Sequence, residues 1–158
     1  MKSQAIALAA ALALNLNAAI AADTHTDHHV PDHDDRVVLD LNPGERAMIL
    51  TEMRMFLDGL QKMTGALGKQ DLQAAAEASR NMGQKMVHEV PAELRKKLPQ
   101  EFRRLGFSVH SDFDQIALDA ESMKDASATL NQLSGTLQKC VQCHSMYQIQ
   151  TPAHDAGH

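Results

Sequence analysis

The sequence has few of the aromatic residues that usually fill a protein core. Tryptophan is absent, and the 158 residues include one tyrosine and four phenylalanines. Packing must therefore depend on leucine, alanine, isoleucine and nine methionines, whose flexible thioether side chains fit against irregular or flat surfaces. Only two cysteines are present, so the chain is not a disulfide-rich scaffold.

An excess of positive charge is also missing. The chain has 15 lysines and arginines against 20 aspartates and glutamates, which gives a formal net charge of −5. This balance argues against a nucleic-acid partner, because proteins that bind nucleic acid carry a clustered basic surface. The length suits one domain with its own core.

Long apolar runs are confined to the N-terminus. Lys2 gives a short positive start, Ala5–Leu16 is almost unbroken, and Ala19-Ile20-Ala21 has the small residues that a signal peptidase requires. The run is too short for a membrane anchor, which is the alternative, and no second run follows. We therefore predict a signal peptide over 1–22, export to the periplasm, no membrane span after cleavage, and a mature chain more negative by the loss of Lys2.

The segment 23–42 is polar and rich in histidine and aspartate, so we predict a disordered tail. Cleavage after Ala22 would start the mature chain at Asp23-Thr24-His25, which offers Cu²⁺ or Ni²⁺ four nitrogens in a square plane. Cleavage after Ala21 would destroy that geometry, and a solvated tail without metal is the alternative. The histidines that would bind Cu²⁺, Ni²⁺ or Zn²⁺ are His25, His28, His29 and His33.

Four helical stretches follow the tail, and no convincing alternating strand appears. The first covers about 43–67, with Asn42 as its cap and Pro43 at its first position. A connection that contains Pro91 and Pro99, with short helical turns, separates the second helix from the third. The other three helices are predicted at about 70–89, 107–124 and 126–149.

Each predicted helix has an apolar stripe with three- and four-residue spacing. In the first helix the stripe contains Leu50, Met53, Leu57 and Leu60. Such stripes predict an all-α fold, an antiparallel up-down-up-down four-helix bundle over 43–150 with a C-terminal tail over 151–158.

The sequence Cys140-Val141-Gln142-Cys143-His144 is the attachment pattern for c-type haem. Two thiols three residues apart on a helix point in one direction, so each can bond one vinyl group of the same porphyrin. His144 directly follows the second cysteine and would present its imidazole to the iron. We expect one covalently attached haem c at Cys140 and Cys143, with His144 as the proximal iron ligand.

Three other interpretations of the two cysteines are open. A disulfide between them would leave His144 unexplained, and a thioredoxin-like redox pair needs a βαβ context that the sequence lacks. A zinc site would need a fourth ligand. The signal peptide favours haem, which is attached to such motifs outside the cytoplasm.

The haem motif lies in the last turns of the fourth predicted helix, and this placement resembles that in cytochrome c′ and its methionine-ligated low-spin relatives. The resemblance covers about 43–150 and implies a four-helix haem protein. It departs from the family at Val141 and Gln148, where basic residues are usual, so the family's proximal environment is not carried over. The matching positions are Arg46, Cys140, Cys143, His144 and Tyr147.

The antiparallel topology restricts which side chains can reach the iron as a sixth ligand. The end of the fourth helix would lie beside the start of the first, and at about 1.5 Å per residue the haem layer takes in about 48–55, 82–88, 107–113 and 140–147. Met48 and Met55 fall on the outer face of the first helix. The candidates in this layer are Met48, Met53, Met55, Met82, Met86, His88 and His110.

Met53 is the best placed of these, and would complete a Met/His axial pair; plain core packing is the alternative. When the chain is aligned with the cytochrome c′ family at Arg46, the residue over the distal face of the haem is Leu50. A leucine cannot bind iron, so the iron would be five-coordinate. His110 would give bis-histidine iron, or would instead bond to backbone or propionate near the helix start.

We therefore expect a single-haem electron-transfer protein with a redox partner of unknown identity, and not an enzyme. Binding of NO or CO beneath Leu50 is the alternative. A peroxidase would need an acid–base pair, for which His110 is the one candidate. A homodimer is a further option. The basic residues in the second connection would neutralise propionates or dock an acidic partner: Arg95, Lys96, Lys97, Arg103 and Arg104.

Overall fold

The computed structural model describes residues 33–150, and over this range the all-α prediction is confirmed. A 3-10 helix at Gln84–Glu89 lies between the second and third α-helices. Two strands of two residues each flank the helices, β1 at Val37–Val38 and β2 at Tyr147–Gln148. The five α-helices are α1 (Pro43–Leu67), α2 (Leu72–Arg80), α3 (Ala92–Lys97), α4 (Gln100–Met123) and α5 (Ala126–Met146).

Several predictions fall on residues that the structure does not describe. These are the signal peptide over 1–22, the metal-binding histidines His25, His28 and His29, the side chain of the candidate ligand His88, and the C-terminal tail over 151–158. Among the helices of 33–150, none is both long and apolar enough to cross a membrane.

The first helix has the predicted bounds because its start is fixed locally. The Asn42 side chain accepts a hydrogen bond from the Glu45 N–H at 2.9 Å, and the Glu45 carboxylate accepts one from the Asn42 N–H at 2.9 Å. This reciprocal pair satisfies two N–H groups that have no partner within the helix. Pro43 occupies the first turn, where no N–H is needed.

The second predicted helix, 70–89, is wrong as a continuous element. The α-helix ends at Arg80, and the chain turns before it continues as the 3-10 helix. Gly83 lies in the turn, where a Cβ would overlap the Asp114 carboxylate. That carboxylate accepts a hydrogen bond from the backbone N–H of Gln84 at 3.0 Å, so a side chain of α4 holds the break in place.

The later helices are as expected in number but differ in their ends. The connection contains α3, which follows Pro91, as the predicted short helical turn. The next helix begins at Gln100 and not at 107, because Pro99 starts it and the chain is helical from there on. The last helix ends at Met146 and not at 149, because the chain there becomes extended and forms β2.

The two strands pair in parallel and tie the N-terminal segment to the end of α5. Val37 lies opposite Tyr147, and the Leu39 N–H donates to the carbonyl of Gln148 at 3.0 Å. Leu39 is buried and Leu41 packs beside it. The predicted disorder of 23–42 is therefore wrong over its last part, because these leucines have an apolar cluster to pack into.

The helices pack around two apolar clusters. α2 contacts both α1 and α4, and α4 contacts α5. The first cluster lies among these four helices and includes Met63, Met82, Phe113 and Leu133. The second lies toward β1, α3 and the start of α1, and consists of the buried residues Leu39, Ile49, Leu94, Leu98 and Tyr147.

The start of α1 lies beside the end of α5. The Arg46 side chain donates a hydrogen bond to the carbonyl of Gln150 at 3.1 Å, and Arg36 donates to the carbonyl of His144 at 3.2 Å. Ile49 shares the second cluster with Tyr147. Two of the four segments that the sequence assigned to one layer, 48–55 and 140–147, thus lie at one end of the fold.

Candidate cofactor site

A cavity of about 600 Å³ lies between the two clusters, with walls from α1, α3, α4, α5 and the segment around the 3-10 helix. Most of its lining is apolar, and a volume of this size is ordinary for a pocket that holds a cofactor-sized ligand. Leu57 and Phe107 line it and are nevertheless 69% and 54% exposed, so part of the mouth of the cavity is apolar. Several of the sequence-predicted site residues meet here.

The cysteine motif forms part of the α5 wall of the cavity. Cys140, Cys143 and His144 all line it, and both cysteines are half-buried. Val141, between the cysteines, is 70% exposed and is not among the lining residues. The helix therefore turns both thiols toward the same cavity, as their three-residue spacing predicts.

Burial raises the pKa of the Cys140 thiol and of the Cys143 thiol above the ordinary value. A thioredoxin-like pair needs the opposite, a lowered pKa that makes one sulfur a thiolate near neutral pH. Both cysteines are free in the structure. A raised pKa favours the neutral thiol and so disfavours the redox-pair interpretation.

The zinc interpretation finds no support in the part of the chain that the structure describes. No group of three or more histidine, cysteine, aspartate or glutamate side chains there is arranged to hold a metal ion. Zinc would need four such ligands at a structural site and three at a catalytic one.

His144 lies at the rim of the cavity and is exposed. Within residues 33–150 its imidazole has no hydrogen-bond partner, whereas its backbone carbonyl accepts from Arg36. Both ring nitrogens are thus available to a ligand in the cavity. A histidine that is to bind iron needs such a ring nitrogen without a protein partner.

Met53 lines the cavity from α1. Met48 also lines it, which corrects the placement of Met48 on the outer face, whereas Met55 is exposed and outside it as predicted. Leu50, the expected lid over the distal face, is not among the lining residues. Met53, Leu57 and Leu60 of the predicted stripe do line the cavity, and the buried Ile49 takes the place expected for Leu50.

Three other methionines belong to the protein interior. Met82 and Met86 are buried but do not line the cavity, and Met82 packs against Gly59 of α1. Met63 is fully buried in the first cluster. Met53 and Met48 are therefore the two thioethers that face the cavity, within the described residues.

His110 lines the cavity but has both ring nitrogens engaged. Nδ1 lies 2.8 Å from the carbonyl oxygen of Met82, and Nε2 lies 3.0 Å from Oε1 of Glu52. Desolvation lowers the pKa of His110, but the hydrogen bonds to Glu52 and to Met82, with the charge of Glu52, raise it above the ordinary value. Backbone bonding near the start of the predicted third helix was one expectation for His110, and the contact with Met82 agrees with it.

The sequence reasoning missed two contributions to the cavity. Glu52 was not recognised as the partner of His110, and nothing local marks a contact between residues 58 positions apart. The first part of α4 was assigned to a connection, yet it supplies Phe102 and Leu105 to the wall. Here a signal existed, since Pro99 precedes a periodic run of Phe102, Leu105 and Val109.

No protein-family model, curated protein or solved structure matches the chain. The case for a function depends on the cavity and on the side chains that line it.

Proposed function

We propose that this protein is a c-type cytochrome of the periplasm that carries one haem in the cavity and transfers electrons. The observation that carries the proposal is the meeting of Cys140, Cys143 and His144 on one wall of an apolar cavity that Met53 lines from another helix. Haem supplies an iron that can take up and release one electron. The protein holds it, sets its axial ligands and controls access of water.

The residues present fit a haem in three respects. The cavity, about 600 Å³ in volume, is within the range of cofactor pockets and is walled mainly by apolar side chains, as a porphyrin face requires. Two neutral thiols face it from adjacent turns, so each can add across one vinyl group, with sulfur and hydrogen bonding to the two vinyl carbons. His144 has free ring nitrogens at the same wall.

Met53 is proposed as the sixth ligand. Its thioether faces the cavity from α1, and a methionine opposite a histidine is a common cytochrome pair that favours the ferrous state and raises the potential. His110 is less suited, because binding iron would break one of its two hydrogen bonds and leave a buried partner unsatisfied.

The same proposal extends to the fold. We infer an antiparallel up-down-up-down four-helix bundle made by α1, α2 with the 3-10 helix, α4 and α5, similar to cytochrome c′. The contacts of α2 with α1 and α4, and of α4 with α5, support this order. The hydrogen bond from Arg46 to the carbonyl of Gln150 supports an antiparallel relation of the first and last helices.

The apolar part of the mouth gives such a protein a place for electron exchange. Leu57 and Phe107 are exposed at the mouth, so an edge of the porphyrin would lie near the surface without open contact with bulk water. A redox partner would approach at this face.

The test is the absorption spectrum of the protein purified from the periplasm, oxidised and reduced. Electron transfer with Met53 as ligand requires low-spin iron in both states and no reaction with CO. A high-spin spectrum with ready CO binding would replace this function with capture of NO or CO. A protein free of haem would end both accounts.

A further inference from the structure

The five basic residues of the region between the 3-10 helix and α4 fall into two groups. Three of them form ion pairs with neighbouring carboxylates, and two do not pair with any side chain that the structure describes. The pairs are Lys96 with Glu93 at 2.8 Å, Lys97 with Glu45 at 2.8 Å, and Arg104 with Glu101. The two without a carboxylate partner are Arg95 and Arg103.

The same two arginines line the cavity, and the three paired residues do not. Arg95 is on α3 and Arg103 is on the first part of α4, so two guanidinium groups come to the cavity from adjacent elements. Both side chains are also exposed, which places them at the rim and not in the interior. Lys139 also lines the cavity but is paired with Asp112, so Arg95 and Arg103 are the two lining cations without a carboxylate partner in the described part of the chain.

We propose that Arg95 and Arg103 bind the two propionate carboxylates of the haem and so fix its orientation in the cavity. This rests on the proposed function. A guanidinium offers two parallel N–H groups that match a carboxylate, and a carboxylate beside an apolar wall is costly unless such a partner is present.

The covalent bonds and the arginines act on opposite parts of the ring. In a haem the two vinyl groups and the two propionates are on opposite halves of the porphyrin. Cys140 and Cys143 are on α5, and Arg95 and Arg103 are on α3 and α4. A haem bonded to α5 through its vinyl groups would direct its propionates toward Arg95 and Arg103 at the rim. The two sets of contacts together would allow only one orientation of the ring in the cavity.

The test uses the haem-loaded protein with Arg95→Gln and Arg103→Gln, and with Arg104→Gln as the matched control. Arg104 is next to Arg103 on the same helix, but it is paired with Glu101 and does not line the cavity. Its substitution by glutamine removes the same charge as the other two substitutions. The readouts are the midpoint potential and the resonance Raman bands of propionate bending, which respond to loss of a hydrogen bond at the carboxylate.

We expect Arg95→Gln and Arg103→Gln each to lower the midpoint potential, because an uncompensated propionate charge stabilises ferric over ferrous iron. We expect their propionate bands to move, Arg104→Gln to change neither quantity, and Arg95→Lys and Arg103→Lys to recover most of the potential. If a glutamine variant takes up little haem, the lysine variant at the same position is measured in its place.

An equal change in Arg104→Gln, or unmoved propionate bands in both glutamine variants, would overturn the assignment while the cytochrome function stands. Wild-type protein without covalent haem would instead remove the proposed function, and the propionate contacts with it. Haem content is therefore measured first.

Discussion

The imidazole of His110 and the carboxylate of Glu52 form a partly buried contact of 3.0 Å that joins α4 to α1 at the wall of the cavity. Because the Met82 carbonyl can only accept, Nδ1 donates to it, and the protonated imidazole donates through Nε2 to the Glu52 carboxylate. The pair holds two helices and the turn after α2 together beside the proposed haem, and it leaves neither ring nitrogen free for iron.

This contact gives stability a specific dependence on pH. The raised pKa of His110 means that the folded state holds its proton more tightly than the unfolded chain. The stabilisation is fully present below the ordinary value of 6.5 and is lost as pH rises through the folded-state pKa.

We expect Glu52→Gln to lower the free energy of unfolding most below pH 6.5 and progressively less above it. Urea unfolding of a haem-free background, with Cys140→Ser and Cys143→Ser, measures this without interference from iron. A penalty that grows with rising pH would contradict it.

Met53 is expected to control the spin state of the loaded protein. Met53→Ala should convert low-spin iron to high-spin, open it to CO and abolish the near-infrared charge-transfer band from sulfur to iron. Met55→Ala is the control, because Met55 is on the same helix but exposed and outside the cavity.

If Met48→Ala gave the spectral change instead, the ligand would be the other thioether at the wall. If His110→Ala alone gave it, the iron would be bis-histidine.

The cap of α1 gives a stability prediction that is independent of haem. Asn42→Ala removes the acceptor for the Glu45 N–H and should cost about 0.5–2 kcal/mol of unfolding free energy. Asn42→Asp retains an acceptor and should cost less. Thermal or urea unfolding distinguishes the two, and equal losses in both variants would mean that the cap oxygen is not responsible.

Two glycines in α1 should respond in opposite ways to the same substitution. A Cβ at Gly59 would overlap the Met82 side chain, which is buried, so Gly59→Ala should destabilise the fold. At Gly65 the nearest atom to such a Cβ is Gln61 Nε2 at 3.9 Å, so Gly65→Ala should stabilise by about 0.5–1 kcal/mol. Unfolding curves for both variants check this, and destabilisation by Gly65→Ala would refute it.

The parts of the fold that the sequence predicted well are those decided by neighbours in the chain. The Asn42 cap and Pro43 define the start of α1 within a few residues, and the spacing of Cys140 and Cys143 alone turns both thiols to one wall. The break at Gly83 could not be predicted in this way, because it is held by Asp114 from another helix. The pairing of β1 with β2 likewise depends on a contact between the two ends of the domain.

The sequence left the rotation of α1 about its axis uncertain by one residue. This uncertainty affected which side chains were assigned to the cavity wall. The apolar stripe of α1 is broad, so sequence spacing did not decide whether Ile49 or Leu50 faces inward. Met53 is on the wall with Ile49, whereas Leu50 is not. Packing against Tyr147 and α3 fixes the phase, and those partners are distant in the sequence.

The most direct test of the account is whether haem is covalently attached through both cysteines. Protein from the periplasm is treated with acid acetone, and haem is measured in the solvent and in the precipitate, for wild type, Cys140→Ser, Cys143→Ser and the double variant. The account predicts that wild type keeps its haem in the precipitate, that each single variant is impaired, and that the double variant releases whatever haem it binds. Haem that is extracted completely from wild type would contradict the account.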